Sequence, residues 1–229
     1  MPRSTAPRTP SSSARCSLSG VSTRQTPAQK QVREARRDVH RQHLVDAAER
    51  VFAERGYEGT RMQDVAAEAG LALATVYSLV DSKEALYAEV HRVRGRALLA
   101  AAAGAAGGRG SAWATLLGAV RAYAEFLVER PNYLRLHLQE SQPWALRPRF
   151  TSHEQSSLWK QGLDLTVATF EAAIAEGSII AESPMLLARL MIADHQVFLG
   201  EWVDQGMKEP PSSLVTRMLA HLERAFAVR

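Results

Sequence analysis

Residues 40–89 contain three helical patterns separated by glycines, and they constrain the fold more than any other part of the chain. The first is an apolar stripe at i, i+3, i+4, i+7 and i+8, which is typical of an amphipathic helix. Gly56 follows it in the position expected just after a helix C-terminus. The pattern therefore predicts a scaffold helix ending at Gly56, with an apolar face made of Leu44, Ala47, Ala48, Val51 and Phe52.

The next two patterns predict a helix-turn-helix. Thr60 is a candidate N-cap for a short second helix, with Gln63 as its capping-box partner, and Gly70 ends that helix. A third helix is expected over about residues 73–79. Two short helices joined by a tight turn are typical of proteins that place side chains in the major groove of DNA.

The remaining sequence also has helical periodicity, and we find no convincing strand pattern or internal repeat. A fourth helix is expected to be capped by Asp81 or Ser82, and glycines at 104–110 mark a candidate domain boundary. The predicted fold is all-α, with a three-helix DNA-binding domain followed by a helical bundle. We predict a disordered basic arm over residues 1–35, the helix-turn-helix domain over 36–100 and the bundle over 101–229.

The positive charge of the chain is concentrated at its N-terminus. Residues 1–42 hold nine Lys and Arg against two Asp and Glu, whereas the rest holds 19 basic and 22 acidic residues. Residues 1–30 are rich in Ser, Thr, Pro and Arg, a composition typical of disorder. The stretch also resembles an organellar transit peptide, although a basic arm that attracts DNA phosphates is favoured.

Several classes of protein are disfavoured by the sequence. There is no run of 18 apolar residues, so no membrane span is expected. Cys16 is the sole cysteine and can form no internal disulfide, which is compatible with the cytoplasm. No histidine has a Glu three residues before it, as a di-iron bundle enzyme requires. No P-loop, zinc spacing or nucleophile elbow is present, so no enzyme activity, metal or cofactor is expected.

Residues 40–90 resemble the DNA-binding domain of the TetR family of transcriptional regulators. The resemblance implies a C-terminal helical domain that binds a ligand and dimerises, so the expected partners are palindromic double-stranded DNA, a small-molecule effector and a second copy. Seventeen residues carry it: Ala48, Phe52, Gly56, Tyr57, Thr60, Val65, Ala66, Ala69, Gly70, Leu71, Thr75, Val76, Tyr77, Ser82, Lys83, Glu84 and Leu86.

The sequence departs from the family pattern around the third helix. Ala72 stands where the family has a serine, which removes a side-chain cap worth about 1 kcal/mol. Leu79 and Val80 replace an aromatic pair, and Leu73 occupies a position that is often polar. These changes leave the predicted fold intact but weaken the expectation of high DNA affinity.

The resemblance and the helix geometry together nominate DNA-contacting residues. Hydroxyls at the groove-facing end of a helix can donate to phosphates, and apolar side chains there can touch thymine methyls. Lys83 is expected to meet a phosphate at the N-terminus of the fourth helix. The predicted DNA-binding residues are Thr60, Leu73, Ala74, Thr75, Tyr77, Ser78 and Lys83.

The C-terminal half offers candidates for a ligand pocket and a dimer interface. Such pockets are mostly apolar with a few polar groups, although aromatic residues at helical spacing are also typical of a core. The predicted ligand-binding residues are Tyr133, His137, Trp144, Trp159, Phe170 and Phe198. The predicted interface, on the last two helices, consists of Leu187, Met191, His195, Phe198, Trp202, Leu214, Met218 and Leu222.

These features predict a dimeric, cytoplasmic DNA-binding regulator, most simply a repressor that a small apolar ligand releases from its operator. The alternative is a ligand-independent regulator, or an activator, of the same fold.

Overall fold

The computed structural model describes residues 26–105, 110–139 and 153–228. This part of the chain contains no strand, and a single antiparallel bridge joins Ile179 to Ala227. No helix within it is long and apolar enough to cross a membrane. The helices are α1 Pro27–Gly59, α2 Met62–Glu68, α3 Leu73–Leu79, α4 Lys83–Ala105, α5 Ala112–Val128, α6 Pro131–Gln139, α7 His153–Ala175, α8 Pro184–Asp204 and α9 Pro211–Phe226.

The chain divides into two compact units, Met1–Arg36 and Arg37–Arg229. In the first unit, the described residues from Pro27 on are helical and exposed. Thr26 and Gln29 cap this helix reciprocally: the Gln29 amide donates to Thr26 Oγ1 at 3.3 Å, and the Thr26 amide donates to Gln29 Oε1 at 3.0 Å. This helix covers residues 27–35 of the predicted arm, where no apolar stripe indicated a helix. The rest of the predicted arm, residues 1–25, lies outside the described residues.

In the second unit, one buried cluster is built from α1 to α4. The predicted stripe of α1 is fully buried, which confirms it, and it packs against Val65, Val76 and Leu86. Leu136 of α6 joins the same cluster. Gly56 and Gly70 have positive φ values of 70° and 63°, so the bend in α1 and the turn before α3 use a conformation that favours glycine.

The cap of α2 differs from the prediction. The helix starts at Met62, with Arg61 as N-cap, and the Arg61 amide donates to Asp64 Oδ2 at 3.3 Å. Thr60 is one residue too early to cap it. At the start of α4 the prediction is confirmed for Ser82, whose Oγ accepts from the Ala85 amide at 3.0 Å.

A second buried cluster holds α4 to α9 together. It contains most of the side chains predicted for the dimer interface, so that prediction is corrected. The apolar faces of α8 and α9 pack onto α5 and α7 of the same chain. Phe198 is half-buried, and the other seven are buried: Leu187, Met191, His195, Trp202, Leu214, Met218 and Leu222.

Candidate nucleic-acid interface and ligand cavity

The outer face of α3 consists of exposed side chains on a helix that is anchored from below. Val76 and Leu79 point into the core, whereas Ala74, Tyr77 and Ser78 are exposed. Tyr77 is 48% exposed, so its ring is not a core side chain. This helix therefore presents a phenol and a hydroxyl to the surroundings of the protein.

The other predicted contacts on α3 are less accessible. Leu73 is half-buried against the core of α1 to α4, and Thr75 is half-buried as well. The hydroxyl of Ser78 donates to the Thr75 carbonyl at 2.7 Å, although the side chain remains exposed. Ala74, Tyr77 and Ser78 are thus the predicted residues that the structure brings together on one open surface.

Two arginines of α1 lie at the C-terminal end of α3, and the sequence analysis missed them. Arg37 Nη2 donates to the Ser78 carbonyl at 3.4 Å, and Arg41 Nη2 donates to the Leu79 carbonyl at 3.1 Å. Cations at a helix C-terminus satisfy its free carbonyls and complement its dipole. The basic N-terminal composition was the available signal, but it could not show which arginines reach α3.

Thr60 and Lys83 have internal partners in the structure. Thr60 is only 2% exposed, and its Oγ1 donates to the Gly56 carbonyl at 2.7 Å. Lys83 Nζ donates to the carbonyls of Tyr57 at 2.8 Å and Thr60 at 3.2 Å, and it lies 4.4 Å from the centre of the Tyr57 ring. Carbonyl oxygens, rather than a phosphate, thus balance the lysine at the start of α4. Both residues stabilise the connection between α1 and α2, which corrects the expectation for Thr60 because its hydroxyl is buried.

A cavity of about 410 Å³ lies among α4, α5, α6, α7 and α8. This volume is within the range of sites that bind small organic molecules. Most of its lining is aliphatic, with Leu98, Leu116 and Val120 as examples. Among the described residues that line it, none is Asp, Glu, Lys or Arg.

A few polar side chains interrupt this apolar lining. Tyr123 Oη lies 3.0 Å from His137 Nε2, and the Tyr123 ring stacks on His195 with 5.5 Å between ring centres. The Tyr133 ring stacks on His137 at 5.7 Å. These rings come from α5, α6 and α8, so three helices meet at the polar part of the cavity.

Burial keeps the histidines of the cavity uncharged near neutral pH. It lowers the pKa of His91 and of His195 to about 4 each. The pKa of His137 falls to about 3, because burial and the nearby His91 both disfavour its charged form. Burial also raises the pKa of the Tyr123 hydroxyl. The cavity therefore offers neutral hydrogen-bonding groups in an apolar wall.

Residues 44–90 match the family described as bacterial regulatory proteins, tetR family. These residues form a TetR-family DNA-binding domain. The chain is also 44% identical over 50 residues to the HTH-type transcriptional repressor DhaR of Mycobacterium sp. (strain GP1). That match covers 22% of this chain and 25% of DhaR, so it spans only a quarter of the relative's length.

Three solved structures share the fold over most of this chain. KstR2 of Mycobacterium tuberculosis is 23% identical, with a TM-score of 0.69 over 82% of this chain and 95% of KstR2. FadR of Bacillus subtilis, solved with stearoyl-CoA, is 20% identical, with a TM-score of 0.67 over 79% of this chain and 96% of FadR. AibR, solved with isovaleryl coenzyme A and operator DNA, is 17% identical, with a TM-score of 0.68 over 80% and 97%. The predicted all-α fold is confirmed.

The structure places only some of the predicted ligand residues at the cavity. Tyr133, His137 and Trp159 line it. Phe170 is fully buried in the core, and Phe198 lies beside His221 and Arg217, so neither lines the cavity. Trp144 lies outside the described residues. Periodicity finds the inner face of a helix, but it cannot tell packed positions from those beside a void.

His91, Tyr123 and His195 line the cavity without having been predicted for it. His195 was expected at the dimer interface. The approach of the three residues depends on how α4, α5 and α8 pack, so no local sequence signal could have grouped them.

Two helices contribute to both the buried cluster of α1 to α4 and the cavity. In α4, Leu86 and Val90 belong to the same buried cluster as Val76 and Leu79 of α3, while His91 and Leu98 line the cavity. In α6, Leu136 is buried in the DNA-binding core, between Tyr133 and His137 of the cavity. The cavity wall and the core that contains Val76 and Leu79 of α3 therefore share α4 and α6.

Proposed function

We propose that this protein is a transcriptional regulator that binds DNA as a dimer and is controlled by a small, mostly apolar molecule. The observation that carries the proposal is that α4 and α6 each contribute to both the cavity and the core beneath the exposed face of α3. We assign the protein no catalytic activity, and it acts in the cytoplasm, where bacterial DNA is accessible.

Control follows from a difference in affinity between two arrangements of the DNA-binding domains. A ligand that fits the cavity better when α4 and α6 are displaced shifts the population towards that arrangement. DNA favours the arrangement in which both recognition helices enter successive major grooves. Ligand and DNA therefore weaken each other's binding, which is the behaviour of a repressor released by an inducer.

The apolar row left exposed on α8 supports dimer formation. Leu186, Leu190 and Val197 are spaced by four and seven residues and lie on one side of the helix, beside Met185. Exposed apolar surface of this kind is typical of an interface. This row replaces the buried side chains that the sequence nominated, and two copies joined here would read a palindromic operator.

Relatives support a ligand-responsive regulator. DhaR, which resembles the DNA-binding segment, is named a transcriptional repressor. AibR is solved with an acyl coenzyme A and operator DNA, and FadR with stearoyl-CoA. We therefore propose repression relieved by a ligand, with an acyl-type molecule as one class to test.

The direct test is a DNA-binding titration at several salt concentrations, using the full-length protein and fragments that flank its gene. We expect specific binding that weakens with salt, because phosphate contacts release counterions. Tyr77→Ala should abolish specific binding and leave the fold intact, since the Tyr77 ring is exposed. Tyr123→Phe, which keeps the ring in the cavity wall, is a control that should retain specific binding. A folded, dimeric protein that binds no fragment specifically contradicts the proposal.

A ligand-independent regulator or an activator of the same fold is the second candidate. The cavity among α4 to α8 argues against ligand independence. The two are separated by adding candidate ligands to the preformed protein–DNA complex, because only a ligand-controlled repressor dissociates.

A further inference from the structure

Tyr123, His137 and His195, which we call the polar cluster, form the hydrogen-bonding part of the cavity wall. Tyr123 Oη is within hydrogen-bond distance of His137 Nε2, at 3.0 Å. His195 stacks on the Tyr123 phenol ring, and its buried Nε2 has no hydrogen-bond partner among the described residues. An unpartnered buried nitrogen is costly, so it indicates a site that a ligand or a small movement can complete.

The Tyr123–His137 pair can either donate a hydrogen bond to a neutral oxygen of a ligand or accept one from it. When His137 donates its N–H to Tyr123 Oη, the phenol hydrogen is left to donate to a carbonyl oxygen. With the other tautomer, the phenol donates to His137, and its oxygen accepts from a hydroxyl. One pair therefore recognises a carbonyl or a hydroxyl without carrying charge.

The surroundings of the pair discriminate against a charged ligand. Burial holds the three cavity histidines in their neutral form. The same loss of hydration would act on a carboxylate, and no described lining residue is a lysine or arginine that could pair with it. Aliphatic side chains such as Leu98, Leu116 and Leu163 instead match a hydrocarbon.

We propose that the cavity binds a neutral, mostly apolar molecule with a carbonyl or hydroxyl oxygen, and that Tyr123, backed by His137, is the anchor for that oxygen. This inference rests on the proposed function and specifies its ligand. The neutral carbonyl can come from a free ketone or ester, or from a thioester whose carrier lies outside the cavity.

Calorimetric titration of the full-length protein with 2-undecanone, decanoate and decanoyl-coenzyme A tests the ligand class. Near neutral pH we expect 2-undecanone to bind at least about tenfold more tightly than decanoate, because the carboxylate must be desolvated without a counter-charge. Decanoate binding as tightly as the ketone would overturn the neutral-ligand assignment.

Tyr123→Phe tests the anchor, since it removes one hydroxyl and keeps the ring. We expect about a fivefold loss of affinity for 2-undecanone, the effect of one neutral hydrogen bond. Tyr57→Phe is the matched control, because it removes a hydroxyl from the DNA-binding domain and should leave ligand affinity unchanged. Unchanged affinity in Tyr123→Phe means that Tyr123 is not the anchor.

Two further arms identify the source of the carbonyl and the place of binding. A matching loss for decanoyl-coenzyme A in Tyr123→Phe identifies a thioester as a source, whereas a loss for the ketone alone identifies a free carbonyl compound. Ala119→Phe fills the cavity and should abolish binding of every probe; retained binding would place it elsewhere and overturn the proposal. A protein that binds its operator but none of the probes refutes the ligand class and leaves the regulator function standing.

Discussion

Thr60 and Thr75 differ in burial, because Thr60 is 2% exposed whereas Thr75 is half-buried, and this predicts a structural role for Thr60 and a DNA-binding role for Thr75. The buried hydroxyl of Thr60 donates to the Gly56 carbonyl at 2.7 Å. Thr60→Val should therefore lower the free energy of unfolding by about 1–2 kcal/mol. We expect it to leave the DNA affinity of the folded protein unchanged, as measured by urea denaturation and a DNA titration.

Thr75→Val provides the matched comparison, because Thr75 is half-buried on the recognition helix. It should weaken DNA binding and change the free energy of unfolding by less than about 0.5 kcal/mol, the usual range for such sites. If Thr60→Val instead reduces DNA affinity while leaving stability intact, Thr60 is a DNA contact after all.

Ala72 leaves α3 without a side-chain cap. Its backbone is extended, with φ −65° and ψ 141°, while the Thr75 amide is already close to its carbonyl at 2.8 Å. Ala72→Ser should raise the free energy of unfolding by about 1 kcal/mol by supplying a hydroxyl to the first turn. Ser111 caps α5 with a bond of 3.2 Å from the Ala114 amide, so Ser111→Ala should produce the opposite change in the same denaturation experiment.

The sequence predicts which side chains of the site are exposed better than it predicts what each side chain contacts. The exposed positions Tyr77 and Ser78 follow from the 3.6-residue period of α3, since Val76 and Leu79 must face the core. The role of Lys83 does not follow, because its partners are carbonyls of Tyr57 and Thr60, more than twenty residues earlier. The tertiary structure determines which partners a long side chain such as that of Lys83 contacts.

At the scale of helices, Arg94 of α4 connects the cavity side of the bundle to α1. Its Nε donates to Glu49 Oε2 at 2.5 Å, and its Nη2 donates to Asp46 Oδ1 at 2.6 Å. Glu49 is buried, so Arg94→Met should destabilise the protein by about 3 kcal/mol by leaving a carboxylate unpaired. Arg94 also lies between His91 and Gly95 of the cavity wall, so the variant should reduce the effect of ligand on DNA affinity.

The double variant Arg94→Met/Glu49→Leu separates these two effects. Replacing both charges with apolar groups should recover most of the stability, since a buried ion pair is often no better than apolar packing. The reduced ligand effect on DNA affinity should remain. Full ligand control in the stable double variant would show that the Arg94 contacts do not couple the two sites.

The sequence predicts where helices form, but it does not predict which elements pack against them. The apolar stripe of α1 and the start of α4 at Ser82 both agree with the structure, because period and capping are local. The broad apolar faces of α8 and α9 were assigned to a second chain, but they are covered by α5 and α7. An amphipathic pattern shows that a face is buried and cannot show by which element.

For the whole molecule, α6 links the buried cluster of α1 to α4 with the cavity. Leu136 of α6 lies with the α1–α4 core, and its neighbours Tyr133 and His137 face the cavity. The sequence predicts two domains, and this division remains a prediction. Only the tertiary packing shows that α4 and α6 contribute to both the α1–α4 core and the cavity.

The stability of the whole molecule should depend on pH through its buried histidines. The pKa values of His91 and His195 are lowered to about 4 and that of His137 to about 3, against an unfolded value of about 6.5. Between pH 6.5 and these lowered pKa values, the unfolded chain binds protons that the folded protein does not bind. The contribution of the histidines to the free energy of unfolding is therefore fully present above pH 6.5 and is lost as pH falls. Each histidine contributes a slope of about 1.4 kcal/mol per pH unit.

His195→Phe isolates one of these contributions while keeping a ring against Tyr123. Between about pH 6 and 5, its free energy of unfolding should fall less steeply than that of the unmodified protein, by about 1.4 kcal/mol per pH unit. The comparison matters because burial raises the pKa of the neighbouring carboxyl of Asp194, which acts in the opposite direction in both proteins. Urea denaturation at closely spaced pH values measures the two slopes. Parallel slopes would mean that His195 accepts a proton in the folded protein, and the neutral cavity inferred from its burial would then be wrong.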